Sequence, residues 1–205
     1  MNIAVLANTQ EPEKLIEAAA RTCYASTPSD TRRNEFIMGI IKRGHESVLE
    51  HASITYKLNG VSRALTHQLV RHRIASYSQK SQRYVKEAQF DYIVPPSLKD
   101  KGMDVFFDQA AKEIQRLYNT MVSHGVAAED ARYILPNACT TDIVVTMNFR
   151  ELRHFFRLRC DKHAQWEIRD VATEMLKLAF NISPTIFVDL YNEFTGGNNE
   201  HKNND

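Results

Sequence analysis

The chain has 205 residues, which is the size of one domain and enough to bury a core without disulfides or a structural metal. Its 26 basic and 25 acidic residues give a net charge of +1, which argues against a protein that binds nucleic acid through its overall charge. Only seven glycines occur, and their spacing forms no glycine-rich nucleotide loop. A bound nucleotide would therefore have to be held by side chains.

The hydrophobic pattern of the first half predicts strands interleaved with helices. We expect strands at 3–6, 54–58 and 91–94, and helices at 12–23, 34–43 and 62–73. Pro12 is expected to begin the first helix, Gly44 to end the second, and Ser62 to cap the third.

The second half is predicted to be mostly helical. Helices are expected at 103–124, 127–135, 148–160 and 164–182 and after Pro184, with one strand at 143–147. This order predicts an α+β fold in a single domain, residues 1–194, followed by a polar and disordered tail, residues 195–205.

A basic stretch at 62–86 is the first candidate site. It contains no carboxylate but six cations: Arg63, Arg71, Arg73, Lys80, Arg83 and Lys86. Serines and glutamines lie among them, and arginine forks with hydroxyls and amides suit a phosphate and the polar edge of a base. A solvated basic face and a nucleic-acid patch remain alternatives, and composition alone favours the solvated face.

The stretch 148–169 is the second candidate site. Arg150 and His154 are four residues apart and share a helix face. Arg159 falls on the apolar stripe of Leu152 and Phe155, where a guanidinium needs an anionic or carbonyl partner. The alternative, slightly favoured by the residues alone, is a cation that complements the helix dipole.

Histidine and cysteine spacings match no metal-ligand signature, so no metal is predicted. The three cysteines, Cys23, Cys139 and Cys160, are odd in number and widely spaced, as in a protein of the reducing cytoplasm. The N-terminus does not resemble a signal peptide, and no apolar stretch is long enough to cross a membrane. We therefore expect a cytoplasmic protein without a membrane partner.

Four motifs in the expected order resemble the flavin-dependent thymidylate synthases. Arg71-His72-Arg73, seven residues and Ser81 match the R-H-R-x7-S signature of that family. Three further segments of this chain resemble other motifs of the family: Gly44 to His51, Ala131 to Pro136, and Asn148-x-Arg150 with Arg159 and His163-Ala164.

The resemblance implies an enzyme that makes dTMP from dUMP. The one-carbon donor would be methylenetetrahydrofolate, the reductant NADPH and the cofactor FAD, without a metal. It also implies a central, mostly antiparallel sheet flanked by helices, and a homotetramer whose active sites are shared between subunits. Nucleic acid is not an expected partner.

Site residues follow from the same resemblance. Arg159 would be the catalytic residue, placed at the uracil edge, and His45 would line the folate and nicotinamide pocket. The dUMP site would comprise Gln68, Leu69, Val70, Arg71, Gln79, Lys80, Ser81, Gln82, Arg83, Arg132 and Arg159. The FAD site would comprise Ser47, Arg71, His72, Arg73, Gln79, Asn148, Arg150 and His154.

Gln79 departs from family members that carry glutamate there, so a role that needs a carboxylate at this position is in question. Two other functions compete with the synthase. One is a nucleic-acid- or nucleotide-binding protein without activity, and the other is a flavin- and folate-dependent methyltransferase acting on uridine in RNA.

Overall fold

The computed structural model describes residues 1–23, 25–28 and 31–196. Four strands form an antiparallel sheet in the order β1-β2-β4-β3. Their bounds are β1 Asn2–Asn8, β2 Ser53–Ser62, β3 Ala75–Gln79 and β4 Thr140–Asn148. The α-helices are α1 Pro12–Cys23, α2 Arg33–Lys42, α3 Arg63–Leu69, α4 Pro96–Asp100, α5 Asp104–Ser123, α6 Ala128–Ala131, α7 Phe149–Arg159, α8 Trp166–Ile182 and α9 Pro184–Thr195.

Two short 3₁₀ helices, Glu46–His51 and Arg132–Ile134, complete the secondary structure of the described residues. The α+β class and the antiparallel sheet expected from the sequence are confirmed. Among the described residues, no helix has the length and apolar character that crossing a bilayer would require.

Local signals set most element boundaries as predicted. Ser62 caps α3, where its hydroxyl accepts from Leu65 N at 3.0 Å, and Gly44 follows α2 at φ 74°. Asn148 caps α7, and its Oδ1 accepts from Glu151 N at 2.8 Å. These boundaries were predictable because each depends on residues adjacent in the chain.

Several expectations were wrong where the local pattern was misleading. Helix α3 ends at Leu69 rather than Arg73, so the R-H-R motif lies after the helix. The strand expected at 91–94 is a single bridge between Tyr92 and Cys139. Strand β3 was not expected at all, because its sequence ASYSQ is short and contains no strongly hydrophobic aliphatic residue. Of the predicted tail, residues 197–205 lie outside the described part of the chain.

Clustering of contacts divides the chain into two units. The first comprises residues 1–2, 58–70 and 78–143, and α5 packs there against α4, α6 and the 3₁₀ helix Arg132–Ile134. A small apolar cluster of Phe90, Ala111 and Cys139 is buried in it. This unit carries most of the residues predicted for dUMP.

The second unit comprises residues 3–57 and 71–77 and the chain from 144 onward. Helix α7 packs there against α8, α9 and the 3₁₀ helix Glu46–His51. Phe187 packs against both Phe149 and Phe156 in its aromatic core, with ring centroids 5.1 and 5.9 Å apart. Tyr56 is fully buried, and its hydroxyl donates to Met175 O at 3.2 Å.

A fully buried arginine, Arg153, ties α7 to the rest of this unit. Its Nη1 and Nη2 donate to the two carboxylate oxygens of Asp189 on α9 at 2.8 and 2.6 Å. It also donates to Ile186 O, and its Nε lies 3.4 Å from Glu46 Oε1. Because a guanidinium out of water is costly without partners, this bidentate pair fixes α7 in place.

We expect Asp189→Ala to destabilise the protein more than Arg153→Met. Loss of the carboxylate leaves a buried cation, which costs about 3–5 kcal/mol, reduced here because Glu46 and Ile186 O remain. Loss of Arg153 leaves a half-exposed carboxylate that water can solvate. Urea unfolding at one fixed protein concentration measures both variants, and the opposite ranking would contradict this account.

Candidate active site

Two adjoining pockets in the second unit collect side chains from three separate stretches of the chain. One, of about 380 Å³, is lined by Arg71, His72, Arg73, Ile74, Glu151, His154, Leu158 and Arg159. The other, of about 440 Å³, is lined by Glu46, Glu50, Ile74, Asn148, Arg150, Glu151, His154 and Arg157. Ile74, Glu151 and His154 belong to both. The segment after α3 and the length of α7 thus face one continuous site.

Six of the eight residues predicted for FAD line these pockets: Arg71, His72, Arg73, Asn148, Arg150 and His154. Ser47 instead lines a separate cavity of about 130 Å³ with His45, the predicted folate-pocket residue, and Cys23. Gln79 lies in the first unit. The sequence prediction therefore selected side chains that the fold brings together although they are far apart in the chain.

The pocket cations differ in how they are paired. Arg150 Nη1 lies 2.5 Å from Glu50 Oε1, and Arg157 Nη2 lies 3.1 Å from Glu46 Oε1. Within the described part of the chain, Arg71 and Arg73 have no carboxylate partner, and both are exposed. This donor set, with the exposed apolar side chains of Ile74 and Leu158, suits a ligand with phosphates and a flat ring system.

His72 is the buried centre of the site, with 5% of its surface exposed. Its Nδ1 lies 3.1 Å from Glu151 Oε1, and Arg159 Nε donates to its Nε2 at 3.1 Å. Its ring packs edge-on against Phe155 at 4.9 Å. Burial lowers the pKa of His72 from its usual 6.5, and the Arg159 charge adds to this, although the Glu151 hydrogen bond opposes it. The ring is therefore neutral at pH 7.

Arg159 is half-buried, as its helical position predicted. The sequence favoured an anionic or carbonyl partner or a helix-end cation, and the structure gives it an imidazole nitrogen, His72 Nε2, as one partner. The interpretation of Arg159 as only a complement to the helix dipole does not account for this directed hydrogen bond.

The residues predicted for dUMP that lie in the first unit have contacts of their own. Gln79 Nε2 donates to the hydroxyls of Thr66 and Thr141 at 3.2 and 3.4 Å. A carboxylate could not donate to either threonine. Glutamine is thus built into this position as a donor, and no role that needs a carboxylate is available there.

Arg83 and Arg132 both contact Glu129. Arg83 Nε lies 3.2 Å from Glu129 Oε2, and Arg132 Nε donates to the backbone oxygen of Glu129 at 3.0 Å. Ser81 Oγ accepts from Arg83 N at 3.2 Å, which places the serine beside the arginine. Two arginines therefore contact one residue, Glu129, that the sequence analysis did not identify.

Two buried donors of the first unit, on Gln82 and Arg63, have no hydrogen-bond partner among the described residues. Gln82 is buried, and its Nε2 has no hydrogen-bond partner among the described residues. Arg63 Nε is likewise unpartnered, although its Nη2 donates to Lys80 O at 2.9 Å. Lys80 itself pairs with Glu87 at 3.0 Å. An unmade buried hydrogen bond is expensive, so these donors point to an acceptor that the described residues do not provide.

The other residues predicted for dUMP are Gln68, which is half-buried, Leu69, which is buried, and Val70, which is exposed at the end of α3.

The prediction that no metal is bound stays a prediction. Among the described residues, His72, Glu151 and His154 form one group whose possible ligand atoms lie within 4.8 Å of one another. Burial raises the pKa of Cys139 and Cys160 to about 12, so both thiols are protonated and poor nucleophiles.

Sequence reasoning did not select the carboxylates that line the pockets of the second unit, Glu46, Glu50 and Glu151, or Glu129 in the first unit. Glu151 stands three residues after the helix cap Asn148, where an acidic residue is ordinary. No local signal distinguishes it from a residue that only stabilises a helix terminus, because its partner His72 is 79 positions away.

We expect His72 to make stability decline as pH falls below about 6.5. Its pKa is lower in the folded chain than in the unfolded one, so its stabilising effect is complete above the unfolded pKa and is lost toward the folded pKa. Urea unfolding at about pH 7.5 and about pH 5.5 should show a larger loss for the wild type than for His72→Gln. Equal losses would show that another group governs this pH range.

Comparisons with known proteins agree with the motifs. Residues 4–185 match the family described as thymidylate synthase complementing protein. A flavin-dependent thymidylate synthase of Geobacter sulfurreducens is 51% identical, covering 92% of this chain and 86% of that protein. The synthase of Clostridium tetani is 44% identical, covering 91% and 85%, and that of Pyrococcus abyssi is 43% identical, covering 86% and 78%. The chain belongs to the flavin-dependent thymidylate synthase family.

Proposed function

We propose that this chain catalyses the reductive methylation of dUMP to dTMP, with FAD as cofactor, methylenetetrahydrofolate as one-carbon donor and NADPH as reductant. The observation that carries the proposal is the convergence of Arg71, His72, Arg73, Asn148, Arg150 and His154 on two adjoining pockets. The relatives are named flavin-dependent thymidylate synthases, which supports a flavin cofactor. We also propose a homotetramer in the cytoplasm, as the resemblance and the cysteine usage predict.

The electron balance requires a reductant besides the folate. A methylene group is two electrons more oxidised than a methyl group, and the hydride of NADPH supplies those electrons. The folate then leaves as tetrahydrofolate. FAD, when bound, supplies the hydride and one-carbon transfer chemistry, so no protein nucleophile is needed.

The pocket residues fit the binding of FAD. Arg71 and Arg73 offer guanidinium forks to its pyrophosphate, and the pair of Arg150 with Glu50 is about half exposed and weak enough to rearrange around a phosphate. Ile74 and Leu158 offer apolar surface to its rings. His45 and Ser47, in their own cavity, are proposed to serve folate and nicotinamide.

The first unit is proposed to supply most of the dUMP contacts. Arg83 and Arg132 would bind the phosphate with Ser81, and the exposed pair of Arg83 with Glu129 is weak enough to be exchanged for it. The buried Gln82 amide would find its acceptor on the nucleotide. Gln79, which orders Thr66 and Thr141, would hold this segment in place.

Arg159 is proposed to act at the uracil edge. Carbon 5 of uracil is a weak nucleophile that gains reactivity when negative charge accumulates on the ring through loss of the N3 proton. The hydrogen bond from its Nε to His72 would hold the Arg159 guanidinium in the orientation that meets this charge. A preorganised donor of this kind stabilises the transition state more than the bound substrate.

The function is tested with purified protein, FAD, NADPH, methylenetetrahydrofolate and free dUMP. We expect flavin absorbance at about 450 nm that responds to dUMP, and formation of dTMP with tetrahydrofolate as co-product. A colourless protein that ignores FAD would support a simple nucleotide binder. Methylation of RNA uridine without methylation of free dUMP would support the RNA methyltransferase.

We expect Arg159→Ala to slow single-turnover dTMP formation by 10²–10³, about 2.7–4 kcal/mol, without loss of FAD. Arg159→Lys should recover only part of the rate, because an ammonium lacks the planar fork. The matched control is Arg169→Ala on α8, which removes a guanidinium that donates to Lys162 O. A near-wild-type rate in Arg159→Ala would remove Arg159 from the mechanism.

A further inference from the structure

Three residues of the second unit form a hydrogen-bonded chain in the wall of the pocket. Glu151 Oε1 lies 3.1 Å from His72 Nδ1, and His72 Nε2 lies 3.1 Å from Arg159 Nε. Glu151 and His72 are buried and Arg159 is half-buried, and all three line the pocket. The order along the chain of hydrogen bonds is carboxylate, imidazole, guanidinium.

The spacing of residues along α7 explains how His72 can contact both Glu151 and Arg159. Glu151, Phe155 and Arg159 are four residues apart and lie on one face of the helix. The His72 ring packs edge-on against Phe155, midway along that face. Tyr77 donates its hydroxyl to His72 O at 2.7 Å and so holds the backbone that carries the ring. The ring is therefore held by side-chain and backbone contacts alike.

The proton arrangement follows from the two neighbours. Arg159 Nε always carries a hydrogen, so His72 Nε2 must be the acceptor. The single proton of the neutral ring is then on Nδ1, where it is donated to Glu151. An ionised carboxylate can only accept, so Glu151 permits this tautomer and no other. The carboxylate thereby determines whether the ring can accept from Arg159 at all.

We propose that Glu151 is a positioning residue that acts through His72 to hold Arg159 in place. The proposal rests on the proposed role of Arg159 in dTMP formation. Fixing the guanidinium in advance avoids its reorientation when charge develops on the substrate, and small errors in such placement are expensive. The competing explanation is that Glu151 only stabilises the N-terminus of α7.

The test uses Glu151→Gln in the FAD-loaded enzyme. The new amide can turn its NH₂ toward Nδ1, which shifts the ring proton to Nε2 and opposes it to Arg159 Nε–H. We expect single-turnover dTMP formation to fall roughly 10- to 100-fold, the loss typical when a group that orients a functional histidine is removed. Glu151→Asp, which keeps an acceptor-only carboxylate, should retain more activity than Glu151→Gln and serves if the amide variant folds poorly.

Two readouts separate positioning from stability. Nitrogen-15 NMR of labelled histidine should show His72 protonated on Nδ1 in the wild type and redistributed toward Nε2 in Glu151→Gln. Glu151→Gln should also cause no further loss of rate in an Arg159→Ala background. The matched control is Glu17→Gln, which removes a buried carboxylate paired with Arg21 and Arg33 on α1 and α2.

The possible results are distinct. A loss of stability in Glu151→Gln with unchanged tautomer and rate, or an additive loss in the Arg159→Ala background, overturns the proposal. If Arg159→Ala itself forms dTMP at the wild-type rate, the proposed role of Arg159 fails. The tautomer of His72 in Glu151→Gln then shows independently whether the carboxylate controls the ring.

Discussion

The site of the second unit depends on where α7 is held, and a single buried cation holds it. Arg153 has no exposed surface, so its guanidinium depends on its partners, above all the two-pronged contact to Asp189 on α9 and also Glu46 and Ile186 O. A bidentate pair fixes both the position and the rotation of the helix. The residues of α7 that line the two pockets, among them Arg150 and Glu151, are positioned with it.

Charge in this chain is segregated locally although the total is almost balanced. Exposed pairs such as Arg150–Glu50 and Arg83–Glu129 contribute little stability and can exchange a carboxylate for a phosphate. The buried contacts of Arg153 and Glu151 cannot be exchanged without cost, and they set the architecture. One set of arginines thus organises the fold, and another remains available to anionic ligands.

The sequence by itself determined whatever depends on neighbouring residues. Ser62, Gly44 and Asn148 marked helix boundaries because caps act over three or four positions. The four-residue spacing of Arg150 and His154 placed them on one pocket wall, because helical geometry alone puts such residues on the same face. The R-H-R motif indicated the family, and with it eight residues predicted for FAD, six of which line the two adjoining pockets.

Tertiary structure alone decided what depends on distant partners. Strand β3 forms from a polar segment because a sheet neighbour satisfies its backbone, which no hydrophobic pattern announces. Gln79 became a donor only when Thr66 and Thr141 came within reach. Glu151 had the appearance of an ordinary first-turn acid until His72, 79 positions away, packed beside it. Long-range contacts of this kind arise from packing in three dimensions, and the order of residues in the chain does not encode them locally.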